Sequence, residues 1–245
     1  MRNFHITVIS ISLVIFFYSV HFLFNNEIVD FLTKEDGFYE WAGALLFLAA
    51  GLLFFKNYLV LNKNRPVSEP NKISNIFYLF LGVILFFGFL EEISWGQRIF
   101  NIPTPDELKG INMKNEINVH NLEIFHRSDK HGLKHGLRLL LNADRIFSIF
   151  WFSFCCVFPL LIVISNKIKL FFSKINLPIP PLAISFAFIL NYAMSKVLLA
   201  HLDTTLRSII EIKEFNFALL FFMISIWFYS IRNTLLKISV SKRMM

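Results

Sequence analysis

The apolar run ISNIFYLFLGVILFFGFLEE, residues 73–92, ends on two adjacent glutamates. A helix needs about 20 apolar residues to cross a hydrocarbon core roughly 30 Å thick. This run approaches that length, and its apolar residues follow one another without the alternation of a half-buried strand. We therefore predict a membrane-spanning helix here.

Further runs of this kind predict an all-α, polytopic membrane bundle of about six transmembrane helices in a single domain over residues 1–245. Hydrophobic residues make up 56% of the chain and charged residues 17%, whereas soluble domains carry about 25% charged residues. This composition excludes a soluble enzyme, a disordered chain and a collagen-like fibre. The predicted spans are residues 4–24, 38–55, 73–92, 146–165, 179–200 and 215–231.

Two features of the predicted spans concern processing and disulfides. The first span is longer than the apolar core of a signal peptide and no small-residue cleavage site follows it, so we expect an uncleaved anchor. The cysteines Cys155 and Cys156 are adjacent within an apolar run. Adjacent cysteines rarely bridge, and we expect two small residues that face lipid or a neighbouring helix.

Lys and Arg in the loops predict the orientation, because positive residues favour the cytoplasmic side. With the N-terminus inside, the inner loops hold 12 Lys and Arg against one acid, Glu69, and the outer loops hold 12 against 16 acids. We therefore predict that both termini lie inside and that one long outer loop covers residues 98–145. Basic inner loops meet anionic lipid head groups, so the net charge of +7 implies the lipid bilayer and no nucleic acid as partner.

Polar residues gather where the predicted helices meet the outer face. Glu91 and Glu92 continue an apolar helix without a break, and acids in or against a membrane span are candidates for functional sites. They lie about 100° apart on a helix, so they cannot face one partner. Which of them faces the bundle stays open, and the other is expected to face water or Arg98. Further polar residues of this face are Glu40, Ser94, Gln97, Arg98, Asn118, Asn121, Arg207 and Glu211.

Two short segments add a histidine each to this face. Glu116 and His120 share a side of the chain in either an extended or a helical segment, so we expect them to project together. A helix over residues 201–211 leaves His201 free to point at the cluster. That helix would carry a ladder of alternating charge formed by Asp203, Arg207 and Glu211. Residues 131–141 are expected to lie amphipathically on the membrane surface.

Carboxylates and histidines at one depth suit a divalent metal such as zinc, which keeps a position open for water in catalytic sites. The candidate ligands are Glu92, Glu116, His120, His201 and Asp203. Without a metal, a Glu near a His is suited to acid–base catalysis. The candidates for that role are Glu91, Glu92, His120 and His201. The sequence contains no Gly-x-Ser-x-Gly elbow, Gly-rich phosphate loop or dinucleotide fingerprint.

Three motifs resemble those of a family of uncharacterised bacterial polytopic membrane proteins. They are EEISWGQR at residues 91–98, NVHN at residues 118–121 and EDGFYE at residues 35–40. The resemblance covers residues 33–125. It implies a multi-pass protein of the bacterial cytoplasmic (inner) membrane, and the family offers no settled activity.

A weaker likeness is to the intramembrane CAAX-protease and bacteriocin-processing family. The helix motif of that family is Glu-Glu followed by three residues and Arg, and a Phe stands four residues before a His. In this chain Gly96 takes the place of that Arg. Glu116 stands four residues before His120, and Val197 four residues before His201, so two of the motifs are missing.

Two functions of different classes stay open at this point. The first is a non-catalytic membrane protein that acts as a sensor, a transport component or an assembly partner. The second is an intramembrane hydrolase or transferase, metal-dependent or acid–base, that acts on a lipid, a lipid-linked glycan or a membrane peptide. A contact between Glu92 and His120 would favour the enzyme.

Overall fold

The computed structural model describes residues 2–63, 76–114, 116–126, 128–129, 132–134, 136–202 and 206–244. These residues are mostly helical, which confirms the all-α class. The helices are α1 (Arg2–Tyr18), α2 (Val20–Leu23), α3 (Asn26–Thr33), α4 (Phe38–Lys63), α5 (Ile76–Glu92), α6 (Gln97–Phe100), α7 (Asp106–Lys109), α8 (Ala143–Phe152), α9 (Phe158–Ile164), α10 (Asn166–Lys174), α11 (Leu182–His201) and α12 (Leu206–Met244). Two short antiparallel strands, β1 (Ser128–Asp129) and β2 (Gly132–Leu133), form a hairpin.

Several helices have the length and hydropathy of membrane spans. Among the described residues, three helical stretches are long and apolar enough to cross a membrane. They are Asn26–Lys63, which comprises α3 and α4, Ala143–Ile164, which runs from α8 to α9, and Leu182–His201, which is α11. The count rises to 4 when α5 and the bent segment after it are taken as one broken span. α1 is apolar but shorter. The chain thus has the helices of a membrane protein in the part that the structure describes.

Helix α12 occupies the centre of the bundle and packs against α1, α3, α4 and α11. All of its residues from 215 to 221 are buried. The Phe215 ring lies 4.5 Å from the Phe17 ring of α1 and 5.2 Å from the Tyr39 ring of α4, measured between centroids. A helix surrounded by other helices needs apolar residues on most of its faces, which accounts for the unbroken run in the sequence.

Small residues let α4 and α5 approach each other closely. A Cβ atom at Gly51 of α4 would lie 3.2 Å from the carbonyl oxygen of Gly82 in α5. A Cβ atom at Gly82 would lie 2.7 Å from the Phe55 ring. Glycine at such positions brings two backbones within van der Waals contact, which is the main attraction between helices in lipid. This contact fixes α5, and with it the two glutamates at its end, against α4.

The two cysteines lie in a π-helical turn, Ser153–Val157, between α8 and α9. Both thiols are free and buried, so the expected absence of a disulfide is seen here, and the cysteines face neighbouring helices. The Ser185 hydroxyl of α11 donates a hydrogen bond to the carbonyl oxygen of Cys155. A π turn displaces carbonyls from the regular ladder, and Ser185 satisfies one of them.

The first predicted span differs from the observed helix. The sequence predicts a helix over residues 4–24, whereas α1 ends at Tyr18 and Ser19 separates it from α2. The Ser19 hydroxyl donates to the carbonyl oxygen of Phe16 at 2.6 Å. Ser competes for backbone carbonyls in this way and favours a helix end. The following segment turns back through α3 to the start of α4.

The segment between α5 and α8, predicted to lie on the outer side, is more ordered than a plain loop. It contains α6, α7, a bridge between Asn112 and Leu122, the hairpin and a 3₁₀ helix over Gly136–Leu141. Within residues 131–141, whose amphipathic placement on the membrane surface stays a prediction, the described residues include the strand Gly132–Leu133 and a 3₁₀ helix over Gly136–Leu141. Gly132 and Gly136 have φ values of 114° and 63°, outside the range of a right-handed helix. His131 and His135 lie outside the described residues.

Candidate functional site

A left-handed turn redirects the chain directly after the two glutamates. Ser94, Trp95 and Gly96 have φ values of 49°, 55° and 81°, and the helical segments on either side meet at 61°. Non-glycine residues adopt this conformation rarely and at a cost of about 1–2 kcal/mol each. Such strain persists only where the surroundings impose it. Here the turn directs Trp95 back to Glu91 and sends Arg98 towards the start of α4.

Glu91 is the acceptor at the centre of the site. Its Oε1 atom accepts from the indole Nε1 of Trp95 at 2.6 Å and from the backbone N of Val119 at 3.1 Å. Its Oε2 atom accepts from the backbone N of His120 at 2.9 Å and from the Nδ1 atom of the same residue at 2.8 Å. An ionised carboxylate is acceptor-only, which matches these donors. Glu91 therefore fixes both the loop backbone and the imidazole ring of His120.

The position of His120 leaves its second nitrogen available. Because Nδ1 donates to Glu91, the neutral ring carries its lone pair on Nε2. The side chain is 43% exposed, whereas that of Glu91 is 9% exposed. A buried carboxylate and a partly exposed imidazole thus form a dyad at the surface of the outer segment.

Arg98 binds a ring of acidic residues from two parts of the chain. Its guanidinium nitrogens lie between 2.7 and 3.2 Å from four carboxylates. The four are Glu35, Asp36, Glu40 and Glu116. Of the two alternatives for the glutamate that does not face the bundle, water or Arg98, the second is wrong, because the turn at residues 94–96 carries Arg98 to the start of α4. Planar guanidinium groups suit several carboxylates at once.

Side-chain amides connect the Arg98 ring to the dyad. Gln97 accepts from the backbone N of Ile117 at 2.8 Å and donates to the Thr104 hydroxyl at 2.7 Å. The amides of Asn118 and Asn121 donate to Oε2 of Glu116 at 2.8 and 3.0 Å. The loop over residues 116–121 is thereby held at both of its ends by side chains rather than by regular secondary structure.

Glu116 and His120 bind different partners. The sequence predicts that they project together in an extended or helical segment, but the segment is an irregular turn. Glu116 therefore reaches Arg98 at 3.0 Å while His120 reaches Glu91. The acid expected to act with His120 from the same segment is replaced by one from the end of α5.

Glu92 lies about 100° around α5 from Glu91 and is close to other acids. The carboxylates of Glu214, Glu40 and Glu211 lie close enough to interact electrostatically with that of Glu92. Burial, and then the neighbouring carboxylates of Glu214 and Glu40, raise the pKa of Glu211 to about 7. Arg207 lies 3.9 Å from Glu211 on the same helix, so the part of the predicted charge ladder that the structure describes is present.

The predicted metal ligands are not assembled into a metal site. Across the described ranges, no group of three or more His, Cys, Asp and Glu side chains is arranged to hold a metal ion. Glu92 does not pair with His120, and Glu116 binds Arg98. His201 is exposed, with Nδ1 2.9 Å from the carbonyl oxygen of Val197 in its own helix. Asp203 lies outside the described residues.

Ser94 is fully buried, and its hydroxyl has no hydrogen-bond partner in the described structure. It lies inside the left-handed turn, where its small side chain fits. Its hydroxyl makes no described hydrogen bond to His120, so the structure does not pair it with the imidazole of the site.

Sequence reasoning missed two contributions to the site. Lys134 is buried, and its ammonium donates to the carbonyl oxygens of Glu123, Ile124 and His126. A lysine between Leu133 and His135 in a polar loop gives no signal of such a contact. Sequence reasoning also did not predict that Glu35, Asp36 and Glu40 bind Arg98. The motifs EDGFYE and EEISWGQR together contain five acids and one arginine, and this imbalance could have indicated the contact.

The arrangement supports proton transfer. A histidine whose Nδ1 is held by a carboxylate has an Nε2 that accepts a proton, and the carboxylate stabilises the imidazolium that forms. No protein-family model, curated protein or solved structure matches the chain. The family resemblance drawn from the three motifs therefore stays a prediction.

Proposed function

We propose that the chain is a multi-pass protein of the bacterial inner membrane with six spans and both termini inside. The apolar helices and the asymmetry of Lys and Arg between loops support this topology. In this arrangement, α1, α4, α5, the α8–α9 pair, α11 and α12 cross the bilayer. The Glu91–His120 dyad and the Arg98 ring lie at the outer face.

The dyad serves as the acid–base group of a membrane hydrolase or transferase. The observation that carries this proposal is the 2.8 Å contact between Nδ1 of His120 and Oε2 of Glu91. His120 takes a proton from an attacking water or hydroxyl through Nε2, and Glu91 holds the ring and stabilises its positive charge. As the bond from the substrate to its leaving group breaks, His120 returns the proton to that leaving group. The reaction is transfer or hydrolysis at a lipid, a lipid-linked glycan or a membrane peptide.

A non-catalytic polar cap is the second candidate, and a specific observation favours it. Arg98 is surrounded by carboxylates, and Glu91 accepts from donors at both oxygens. Such networks hold a loop in one conformation even without chemistry. On this alternative the outer segment is a rigid surface for a sensor, a transport component or an assembly partner.

The test is turnover by the purified protein in vesicles. Phospholipid, a polyprenyl-linked glycan and a synthetic membrane peptide are presented separately, and the products are followed by mass spectrometry. We expect the wild type to convert one of the three and His120→Gln to lose at least a hundredfold in rate, as general bases contribute about 10²–10⁴-fold.

His201→Gln is the matched control, because His201 bonds only to its own helix in the described contacts and is exposed. We expect it to retain wild-type turnover. Equal activity of His120→Gln and the wild type would overturn acid–base catalysis by the dyad. Conversion of none of the three classes would favour the polar cap.

A further inference from the structure

Helix α6 has the polarity of a membrane-immersed segment rather than of a loop in water. Its polar residues Gln97 and Arg98 point inward to the network described above. Its apolar residues Ile99 and Phe100 point outward and are 51% and 73% exposed. In water this arrangement exposes apolar surface and hides charge, which is the reverse of the usual distribution. In lipid, the exposed apolar side chains contact acyl chains while the charged side chain stays inside the protein.

The outward apolar surface continues that of α5. Phe87 of α5 is exposed, and its ring lies 5.7 Å from that of Trp95, which is 39% exposed. Trp95, Ile99, Phe100 and Ile102 extend this surface beyond the bend. α5 with the segment after it is one of the candidate spans, so the bend prolongs a surface that faces acyl chains. Trp is also the residue typical of the boundary between hydrocarbon and head groups.

The same surface borders the dyad. Trp95 and His120 bind the two oxygens of one carboxylate, that of Glu91. The indole that faces outward is therefore a direct neighbour of the exposed imidazole. A molecule lying along Phe87 and Trp95 would have its polar end at the level of His120.

We propose that the segment Trp95–Ile102, here named the elbow, is immersed in the outer leaflet and opens the dyad sideways to the bilayer. The partner of this surface is lipid, and the substrate class is an amphiphile whose apolar chain lies on the elbow while its polar group reaches His120. The substrate half of this proposal rests on the proposed function, whereas the immersion of the elbow does not.

The experiment measures the depth of the elbow directly. Phe100→Cys is labelled with the fluorophore NBD and reconstituted into vesicles of phosphatidylcholine and phosphatidylglycerol. Asp106→Cys, an exposed position on α7 of the same outer segment, is the matched control. Unsubstituted protein reports background labelling, which we expect to be low because both native cysteines are buried.

Two readouts distinguish lipid from water. We expect doxyl-labelled phosphatidylcholine to quench the probe at position 100 several-fold more than the probe at position 106. We also expect dithionite, which does not cross the bilayer, to reduce the accessible probe at position 100 several-fold more slowly. Equal quenching and equal reduction at the two positions would overturn the immersion of the elbow.

A second variant tests access to the dyad. The Trp95 contribution to fluorescence, taken as the difference between the wild type and Trp95→Phe, should be quenched by brominated phosphatidylcholine. An unquenched Trp95 beside a quenched position 100 would refute lateral access while leaving the elbow in the membrane. Failure of the proposed function appears instead as turnover that does not depend on His120, which leaves the depth measurements unchanged.

Discussion

Glu91 and Glu92 are neighbours in the chain, yet they lie in two contrasting electrostatic regions. Glu91 accepts hydrogen bonds from Trp95, Val119 and His120. Glu92 is partly buried, and the carboxylates of Glu214, Glu40 and Glu211 interact with it electrostatically. A turn of about 100° between successive helix residues is enough to separate them. The comparison shows that one acid organises the segment after α5, whereas the other lies among further acids.

The largest expected effect is that of removing the organising acid. Glu91→Ala leaves the indole of Trp95 and the backbone N–H groups of Val119 and His120 without an acceptor. Since an unsatisfied buried group costs about 1–3 kcal/mol, we expect a loss of roughly 3 kcal/mol in the free energy of unfolding. Thermal unfolding in detergent measures it. Glu92→Gln is the control, and we expect it to be neutral or stabilising. Equal losses in the free energy of unfolding of both variants would contradict the different roles of Glu91 and Glu92.

Next in size is the effect of removing the cation of the Arg98 ring. Arg98→Ala leaves Glu35, Asp36, Glu40 and Glu116 close together without a counter-charge. We expect a loss of roughly 2 kcal/mol, below the range for fully buried pairs because Glu35 and Asp36 are largely exposed. Proteolysis of the outer segment should accelerate in the same variant. Arg145→Ala, at an exposed position, serves as the control, and an equal change there would contradict this role of Arg98.

A smaller effect is expected at the turn that separates the two acids. Gly96 has a φ of 81°, and a Cβ atom there would lie 3.1 Å from the Phe100 ring. Gly96→Ala should destabilise the protein by about 1 kcal/mol, the usual cost of a side chain in the left-handed region. Urea unfolding measures the change, with Gly110→Ala as control, since nothing lies within 4 Å of a Cβ atom at Gly110. No difference between the two variants would refute the strained turn.

A pH dependence of stability is also expected, from Glu211 near the second acid, Glu92. The pKa of Glu211 is raised from 4.5 to about 7. A carboxyl whose pKa is raised on folding gives its full contribution to stability below 4.5 and loses it as the pH rises through 7. The free energy of unfolding should therefore fall across this window, and Glu211→Gln should flatten the decline. An unchanged slope in that variant would contradict the assignment.

Much of the helical frame follows from the sequence, because apolar runs of sufficient length record where helices lie. The ends are less predictable. α4 and α12 extend well beyond the predicted spans, since charged residues continue a helix outside the hydrocarbon region as readily as apolar ones do. The break at Ser19 depends on one hydroxyl that bonds to a preceding carbonyl.

The site could be located from the sequence but not assembled from it. The motifs and the predicted position at the membrane face indicated Glu91 and His120 as candidate site residues. The pairing depends on the rotation of α5, which packs closely on α4 at Gly51 and Gly82, and on a left-handed turn at Ser94 and Trp95, residues that rarely adopt it. Neither the rotation of α5 nor the left-handed turn can be predicted from the neighbouring residues in the sequence.

The most direct test of the Glu91–His120 dyad is nitrogen NMR of the protein labelled with ¹⁵N-histidine in lipid bilayers. His120→Gln identifies the signals of His120. The account predicts that near neutral pH the neutral ring carries its proton on Nδ1, and that Glu91→Gln shifts both ring nitrogens while Glu92→Gln leaves them unchanged. A proton on Nε2, or a His120 signal that responds to Glu92→Gln and not to Glu91→Gln, would contradict the dyad.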